Sequence, residues 1–308
     1  MKIRNAFTMI ELIFAIVVIG ILAKFGVEFL SQAYRSFIYT NVNHTLQSQS
    51  EGAVELIASK LQYRIKDSVI ARHNSNDFYP IGQLNPAQIN NYDTLEWIGE
   101  DVEGFRGIQS SLWSGIFDLD ASSAALLISP ATNTIAINAN IDALSDSNSS
   151  LNTDAVLYFV GSDSDITQMG WQGRFTDPFD ATVLTFNGAI ANQNQVIHPI
   201  QAGVNGFASR VAVNFSGVDI NEYYKLAWTA YAIKLENYNN NKGDLFLYYD
   251  YQPWNGENFT AGKKTLLARN VSTFRFIAMS SLLKIQVCIK SDLITNEEHS
   301  ICKDKTVF

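Results

Sequence analysis

The sequence holds only two cysteines, Cys288 and Cys302, and six prolines, none of them before Pro80. Its four histidines, His44, His73, His198 and His299, are scattered, and none sits in an H-E-x-x-H arrangement. There is no P-loop, no G-x-S-x-G elbow and no dinucleotide-binding glycine pattern. These absences remove the common zinc-protease, nucleotide-binding and serine-hydrolase readings, so neither an enzyme nor a cofactor is expected. Two cysteines without a nearby histidine are also too few ligands for a structural zinc site. Basic residues are outnumbered, 22 Lys and Arg against 30 Asp and Glu, for a net charge of −8. Nucleic acid is therefore not an expected partner of the chain as a whole. With 47% hydrophobic and 17% charged residues in 308, the chain has the composition of an ordered globular protein with ample length for a core.

Charge is scarcest near the start. Residues 6 to 26 read AFTMIELIFAIVVIGILAKFG, and the apolar stretch from Phe7 to Leu30 is broken only by Glu11, Lys24 and Glu28. That length fits one membrane-spanning helix, which needs about 20 residues. Lys2 and Arg4 precede it without an acid, which puts the short N-terminus in the cytoplasm and the rest outside. A secretory signal carries its small-residue cleavage site after the apolar region. Here the small residue beside the charges is Ala6, ahead of that region.

The basic leader, then Phe7-Thr8-Met9-Ile10-Glu11, then Leu12 to Ala23 with Gly20 inside, resembles the type IV prepilins and the pseudopilins of type II secretion. The resemblance implies cleavage between Ala6 and Phe7 by a dedicated membrane prepilin peptidase, followed by N-methylation of Phe7. Most members have glycine before the cut, where this chain has Ala6. Further partners it implies are other pilins or pseudopilins, the inner membrane and an assembly platform protein. An ionised side chain at the centre of a bilayer costs roughly 2.5 to 3.5 kcal/mol, so Glu11 needs a reason to be there. In the family reading it neutralises the new N-terminal amine of a neighbouring subunit during fibre assembly. The alternative is that it reaches the membrane interface alone.

Beyond residue 30 the apolar positions thin to Ala33, Tyr34, Phe37, Ile38, Val42 and Leu46, then Ala53, Val54, Ile57, Leu61, Ile65 and Val69. Spacings of three and four mark one face of a helix. A helix from Phe7 to about Ile70 would be about 95 Å long at 1.5 Å per residue. The expected organisation is a leader over 1–6, a membrane or fibre-core half over 7–30, an amphipathic half over 31–70, and a β-rich head over 71–308. The fold class is α+β, with the long helix packed on an antiparallel, pilin-like head.

In the head, short apolar runs alternate with Asn, Asp, Ser and Gly clusters. Strands are expected over 124–130, 134–141, 155–161, 181–188, 209–217, 224–236, 244–254, 271–279 and 282–290. NYNNNKG at 237–243 is a hairpin signal, because asparagine and glycine tolerate positive φ. Residues 141–154 and 188–206 read as polar loops.

The C-terminal runs LLARNVSTFRF and KIQVCIK resemble the end of W-type minor pilins and J-type pseudopilins, which implies a tip-associated subunit. Export, as the resemblance implies, would let Cys288 and Cys302 form a disulfide, as C-terminal loops of pilins do. Closing about fifteen residues contributes up to about 3 kcal/mol. Two separately buried thiols are the alternative. Asp163 and Asp165 in GSDSDI are candidate Ca²⁺ ligands, although the segment lacks an EF-hand's glycine and distal glutamate. Asn148 in DSNSS fits a bacterial N-glycosylation acceptor pattern. Tyr248, Tyr249, Tyr251 and Trp254 serve either a ligand face or strand packing. A DNA-uptake subunit, and a periplasmic adhesin or enzyme anchored by a prepilin-type signal, are the functional alternatives.

Overall fold

The computed structural model describes residues 8–73, 76–84, 92–176, 182–279, 282–291 and 299–308. One helix, α1 (Met9–Leu61), dominates the N-terminal part. Thr8 caps it: its side chain accepts from the Glu11 amide, while the Glu11 carboxylate accepts from the Thr8 backbone N–H. That reciprocal pair satisfies donors that the first turn leaves without intrahelical partners. No proline interrupts the run.

The helix ends at Leu61, short of the expected end near Ile70. Ile65 and Val69 keep the helical spacing, yet the backbone has already left the helix. Ile65 N–H donates to the Ile98 carbonyl, and residues 66–68 form a single 3-10 turn. Both side chains are buried, so a core requirement in the connection mimicked a longer helical face.

After the turn come β1 (Ile70–His73), β2 (Asp77–Pro80), β3 (Thr94–Gly99) and the short helix α2 (Val102–Arg106). Next are β4 (Leu127–Ile128), α3 (Thr134–Leu144), α4 (Leu151–Asp154), β5 (Val156–Phe159), β6 (Gln172–Thr176) and β7 (Val183–Asn187). The chain continues through β8 (Ile197–Gly203), β9 (Gly206–Ser209), β10 (Tyr224–Ala227), β11 (Thr229–Asn239) and β12 (Lys242–Tyr249). It closes with β13 (Lys263–Met279), β14 (Leu282–Lys290) and β15 (Ser300–Val307).

Ten strands form one sheet in the order β15-β14-β13-β12-β11-β3-β1-β2-β6-β7. Neighbours run antiparallel except β2 and β6, which meet in parallel at Asp77 and Arg174. One face of β13–β15 carries Phe276, Leu283, Ile285, Val287, Ile289 and Val307 in one core with Val42, Leu46, Val54, Ile57 and Leu61 of α1. A smaller sheet, β10-β5-β8-β9-β4, lies between β3 and β11 in the sequence, with its own core around Trp113, Phe117, Phe159 and Phe207. The β11–β12 hairpin forms as expected, with Asn240 and Asn241 both at positive φ.

Four readings of the head are corrected. Residues 134–144 are helical: Asn133 caps the element, and Ile137 and Ile141, one turn apart, are its buried residues. Ile135, inside the strand expected over 134–141, is exposed. Among residues 209–217 the strand stops at Ser209, because Phe215 is buried whereas Val213 is almost fully exposed. The supposed loop at 188–206 contains β8, with Val196, Ile197 and Ile200 buried, and 141–154 contains α4.

A buried ion pair ties the middle of the large sheet together. Arg72 Nε donates to Glu96 Oε1, its Nη1 donates to the Gln172 carbonyl at 2.7 Å, and Tyr251 Oη donates to Glu96 Oε2 at 3.1 Å. Both charged residues are essentially excluded from solvent. Burial, and then the neighbouring Glu96 charge, push the Tyr251 hydroxyl well above its ordinary pKa, so it stays a donor. Gly173, at φ 127°, lies so close to the Asn76 carbonyl and the Arg72 guanidinium that no Cβ would fit. Glu96→Leu is expected to lose about 3–5 kcal/mol, because it strands a buried arginine. The double change Arg72→Met, Glu96→Leu should recover most of that loss, read as the denaturation midpoints of the three proteins.

Candidate membrane and assembly site

The first half of α1 stands clear of the head. Its most apolar 18-residue window has no buried residue, and the helix is long and apolar enough to cross a membrane. From Met9 to Leu30 it spans about 33 Å at about 1.5 Å per residue, matching a hydrocarbon core of about 30 Å. Ile10, Phe14, Ile19, Phe25 and Phe29 are all more than 60% exposed. An exposed side chain of this size forfeits roughly 1.5–3 kcal/mol in water, so the segment as a whole forfeits tens. Such a surface is compatible with a covering of lipid or of other apolar helices.

Glu11 sits at the entry to this surface. Its Oε2 accepts both the Thr8 backbone N–H at 3.0 Å and the Thr8 hydroxyl at 2.9 Å. Its Oε1 accepts no hydrogen bond among the described residues. A carboxylate in the first turn is also favoured by the helix dipole. The local cap was not part of the sequence reading, although Thr8 three residues before Glu11 is the pattern that would have signalled it. Ala6 and Phe7, the expected cleavage pair, lie outside the described residues.

Cys288 and Cys302 are disulfide-bonded, opposite each other on β14 and β15 with Cα atoms 3.9 Å apart. The bond holds β15 in place, and β15 is a strand on which α1 lies. Lys305 pairs with Glu55, Lys303 reaches Glu51 at 3.8 Å, and the His299 ring packs edge-on to Tyr39.

The other candidates are not brought together. Asp165 caps its own 3-10 turn, accepting from the Thr167 amide and hydroxyl at 2.9 and 2.6 Å and from Gln168 at 2.9 Å. Among the described residues, no group of three or more His, Cys, Asp or Glu could hold a metal ion. The Asn148 amide donates to the buried Asp250 carboxylate at 3.2 Å, where Ser149 Oγ and Lys263 Nζ also converge at 2.7 and 3.2 Å. Tyr248, Tyr251 and Trp254 are buried in a core, and Tyr249 is half-buried, so packing accounts for the aromatic run.

Two buried titratable groups of the small-sheet module carried no sequence signal. Asp101 accepts from the indoles of Trp113 and Trp228 at 3.1 and 3.3 Å and from the Gly104 amide at 3.2 Å. Desolvation nonetheless pushes its carboxyl up to about 6. His198 lies between Phe159 and Phe215, and burial pushes its imidazole down to about 3. Gln193 Nε2 donates to Pro199 O and Ser209 Oγ, so its Oε1 must accept from His198 Nδ1–H at 3.1 Å. His198 Nε2 is left buried with no partner among the described residues.

No protein-family model, curated protein or solved structure matches the chain.

The two groups oppose each other in pH. Folding raises the Asp101 pKa from 3.8, so its contribution to stability falls as pH rises from about 4 to about 6. Folding lowers the His198 pKa from 6.5, so its contribution falls as pH drops from about 6.5 towards 3. The native protein should therefore melt at nearly constant temperature between pH 4 and 6, followed by tryptophan fluorescence. His198→Gln should uncover a decline with rising pH of at most about 1.4 kcal/mol per unit. A variant as flat as the native protein would refute the compensation.

Proposed function

We propose that this protein is a minor pilin or pseudopilin, a structural subunit of a type IV pilus or type II secretion pseudopilus. The observation that carries the reading is the uninterrupted α1, whose apolar first half projects free of the head with Glu11 near its start. The sequence before it, with Lys2, Arg4 and Ala6 ahead of Phe7, supports processing at the Ala6–Phe7 bond.

In this reading the chain first rests in the inner membrane, with its N-terminus cytoplasmic and its head outside. Prepilin peptidase removes residues 1–6, and Phe7 becomes a methylated, positively charged N-terminus. The subunit then leaves the lipid for the fibre, where helices of neighbouring subunits cover the same apolar surface. Glu11 uses one oxygen for its own helix start and offers the other to a neighbour's Phe7 amine. A charge pair inside an apolar fibre core is tolerated only when both members meet, which sets the axial register of the incoming subunit. Resemblance of the C-terminal strands to W-type and J-type subunits supports a position in the initiating or tip complex.

Mass spectrometry of the exported protein should find methylated Phe7 at the mature N-terminus; a chain beginning at Met1 would overturn the reading. Glu11→Ala should be processed at the normal site yet be lost from sheared fibres. Glu11→Ala recovered in fibres at native levels would remove the assembly role of the carboxylate.

A further inference from the structure

Two hollows on the head differ in charge. The larger, about 660 Å³, mixes Arg64 and Lys66 with Asp67 and Asp165, so it favours no ligand of one sign. The smaller, about 230 Å³, opens where β6 and β7 meet the chain leading to β8. Twelve residues line it, and none of them is Lys, Arg, His, Asp or Glu. Asp165, which is not in the lining, is engaged by Thr167 and Gln168 at 2.9 Å each. A phosphate, a carboxylate or a metal ion would find nothing in that lining to offset the loss of its water.

The wall is fixed before any guest arrives. Asn194 donates to the Gln168 carbonyl and accepts from the Val196 and Ile197 amides, and Gln168 Oε1 accepts from the Gln195 amide. Ile190 N–H donates to the Trp254 carbonyl. Gly170 and Gly188 both hold positive φ, and a Cβ on either would fall within 3 Å of the Pro253 or Trp254 backbone. A wall held this way has little freedom left to lose on binding. Two amides in the lining are not spent on it. Asn187 and Asn192 are exposed, and their side chains make no hydrogen bond among the described residues. Each offers an acceptor oxygen and a donor NH₂ without charge. Phe186 adds an apolar ring, half-buried and 6.2 Å from Phe78 between ring centres. Trp171, only 1% exposed, lines the same pocket with an indole N–H that has no partner among the described residues. An unpaired buried donor is costly, so an acceptor supplied there is favoured.

Uncharged donors and acceptors beside an aromatic ring match the chemistry of a pyranose. Its neighbouring hydroxyls each donate and accept, and its axial C–H groups make one face apolar. The volume lies below the roughly 300–1,000 Å³ of pockets for drug-sized ligands, which suits one ring and not several. We propose that this pocket binds one neutral sugar residue, the terminal unit of a glycan. Asn187 and Asn192 bond its hydroxyls, Phe186 takes its C–H face, and the Trp171 N–H is the donor available to its deepest oxygen. This inference stands on the pocket and does not depend on the fibre assignment.

The test screens the full-length chain, held in lipid nanodiscs, on an array of neutral, sialylated and sulfated glycans. Neutral glycans should be selected. In fluorescence anisotropy, a labelled hit should be displaced by the free sugar of its terminal residue. Asn187→Ala and Asn192→Ala remove side chains that hold nothing else in place, so the fold should survive both. Each should weaken the hit about fivefold, which corresponds to one neutral hydrogen bond of about 1 kcal/mol. Ala189→Trp, at an exposed position of the lining, should fill the pocket and abolish binding. The proposal is overturned if no glycan binds or if only sialylated or sulfated glycans do. It is also overturned if the hit binds the Asn187→Ala, Asn192→Ala double variant as well as the native chain.

Discussion

Val42, Leu46, Ala53, Val54, Ile57 and Leu61 bury one stripe of α1 against β13–β15, and that seam fixes how the long helix sits on the large sheet. The helix carries no proline and no break from Met9 to Leu61, so its buried half fixes where its exposed half points. A head that rotated on this seam would swing the apolar segment with it. The disulfide and the Lys305–Glu55 and Lys303–Glu51 pairs lie along the same seam. The surface pairs are worth little singly. Together with the cross-strand bond, they keep the last strand in register beneath the helix, and it is that strand's apolar residues that bury the stripe.

Glu11 shows how one group can satisfy two requirements. At the start of an apolar helix the first N–H groups have no partners, and lipid offers none. The Thr8–Glu11 box meets that need within one chain. It also lowers the cost of keeping a carboxylate near the membrane, because both contacts are charge-assisted. Oε1 accepts no hydrogen bond among the described residues, so in the proposed fibre the local cap and the contact between chains would use different atoms.

What could be read from the sequence follows from how local the determining interactions are. The apolar run, the Asn-rich hairpin and the alternating Ile285, Val287 and Ile289 each announce themselves within a few residues, and each is found. The segment 134–144 did not, because β-branched residues at 135 and 137 imitate a strand while the helix is decided by an Asn133 cap and the pair Ile137–Ile141. The segment 188–206 is rich in amides that look like loop residues. Asn194 and Gln193 in fact spend those amides on backbone carbonyls and amides around β8. The Asp101 clamp and the Arg72–Glu96–Tyr251 network join residues up to 155 positions apart, so no window of sequence contains them. The candidate assembly residues were legible because they crowd into one short segment. The groove lined by Val69, Ile81, Phe175, Leu184 and Leu283 was not, because its walls come from six separate stretches of chain.

The inserted small sheet adds a further constraint. Residues 100–223 hold 14 Asp and Glu against 3 Lys and Arg, a balance of −11 within a chain whose total is −8. Residues 224–308 hold 8 acids and 11 bases, a balance of +3. The strands on which α1 lies therefore come from the basic part of the chain, and residues 100–223 carry more negative charge than the chain nets as a whole. Like-charged insertions on neighbouring subunits repel at distances within about a Debye length, near 8 Å at physiological salt. Close stacking of many identical copies along a fibre would bring such insertions together again and again, whereas one copy at an end meets that repulsion least. In the proposed fibre, this charge distribution would favour the same terminal position that the C-terminal strand resemblance implies, from a separate physical cause.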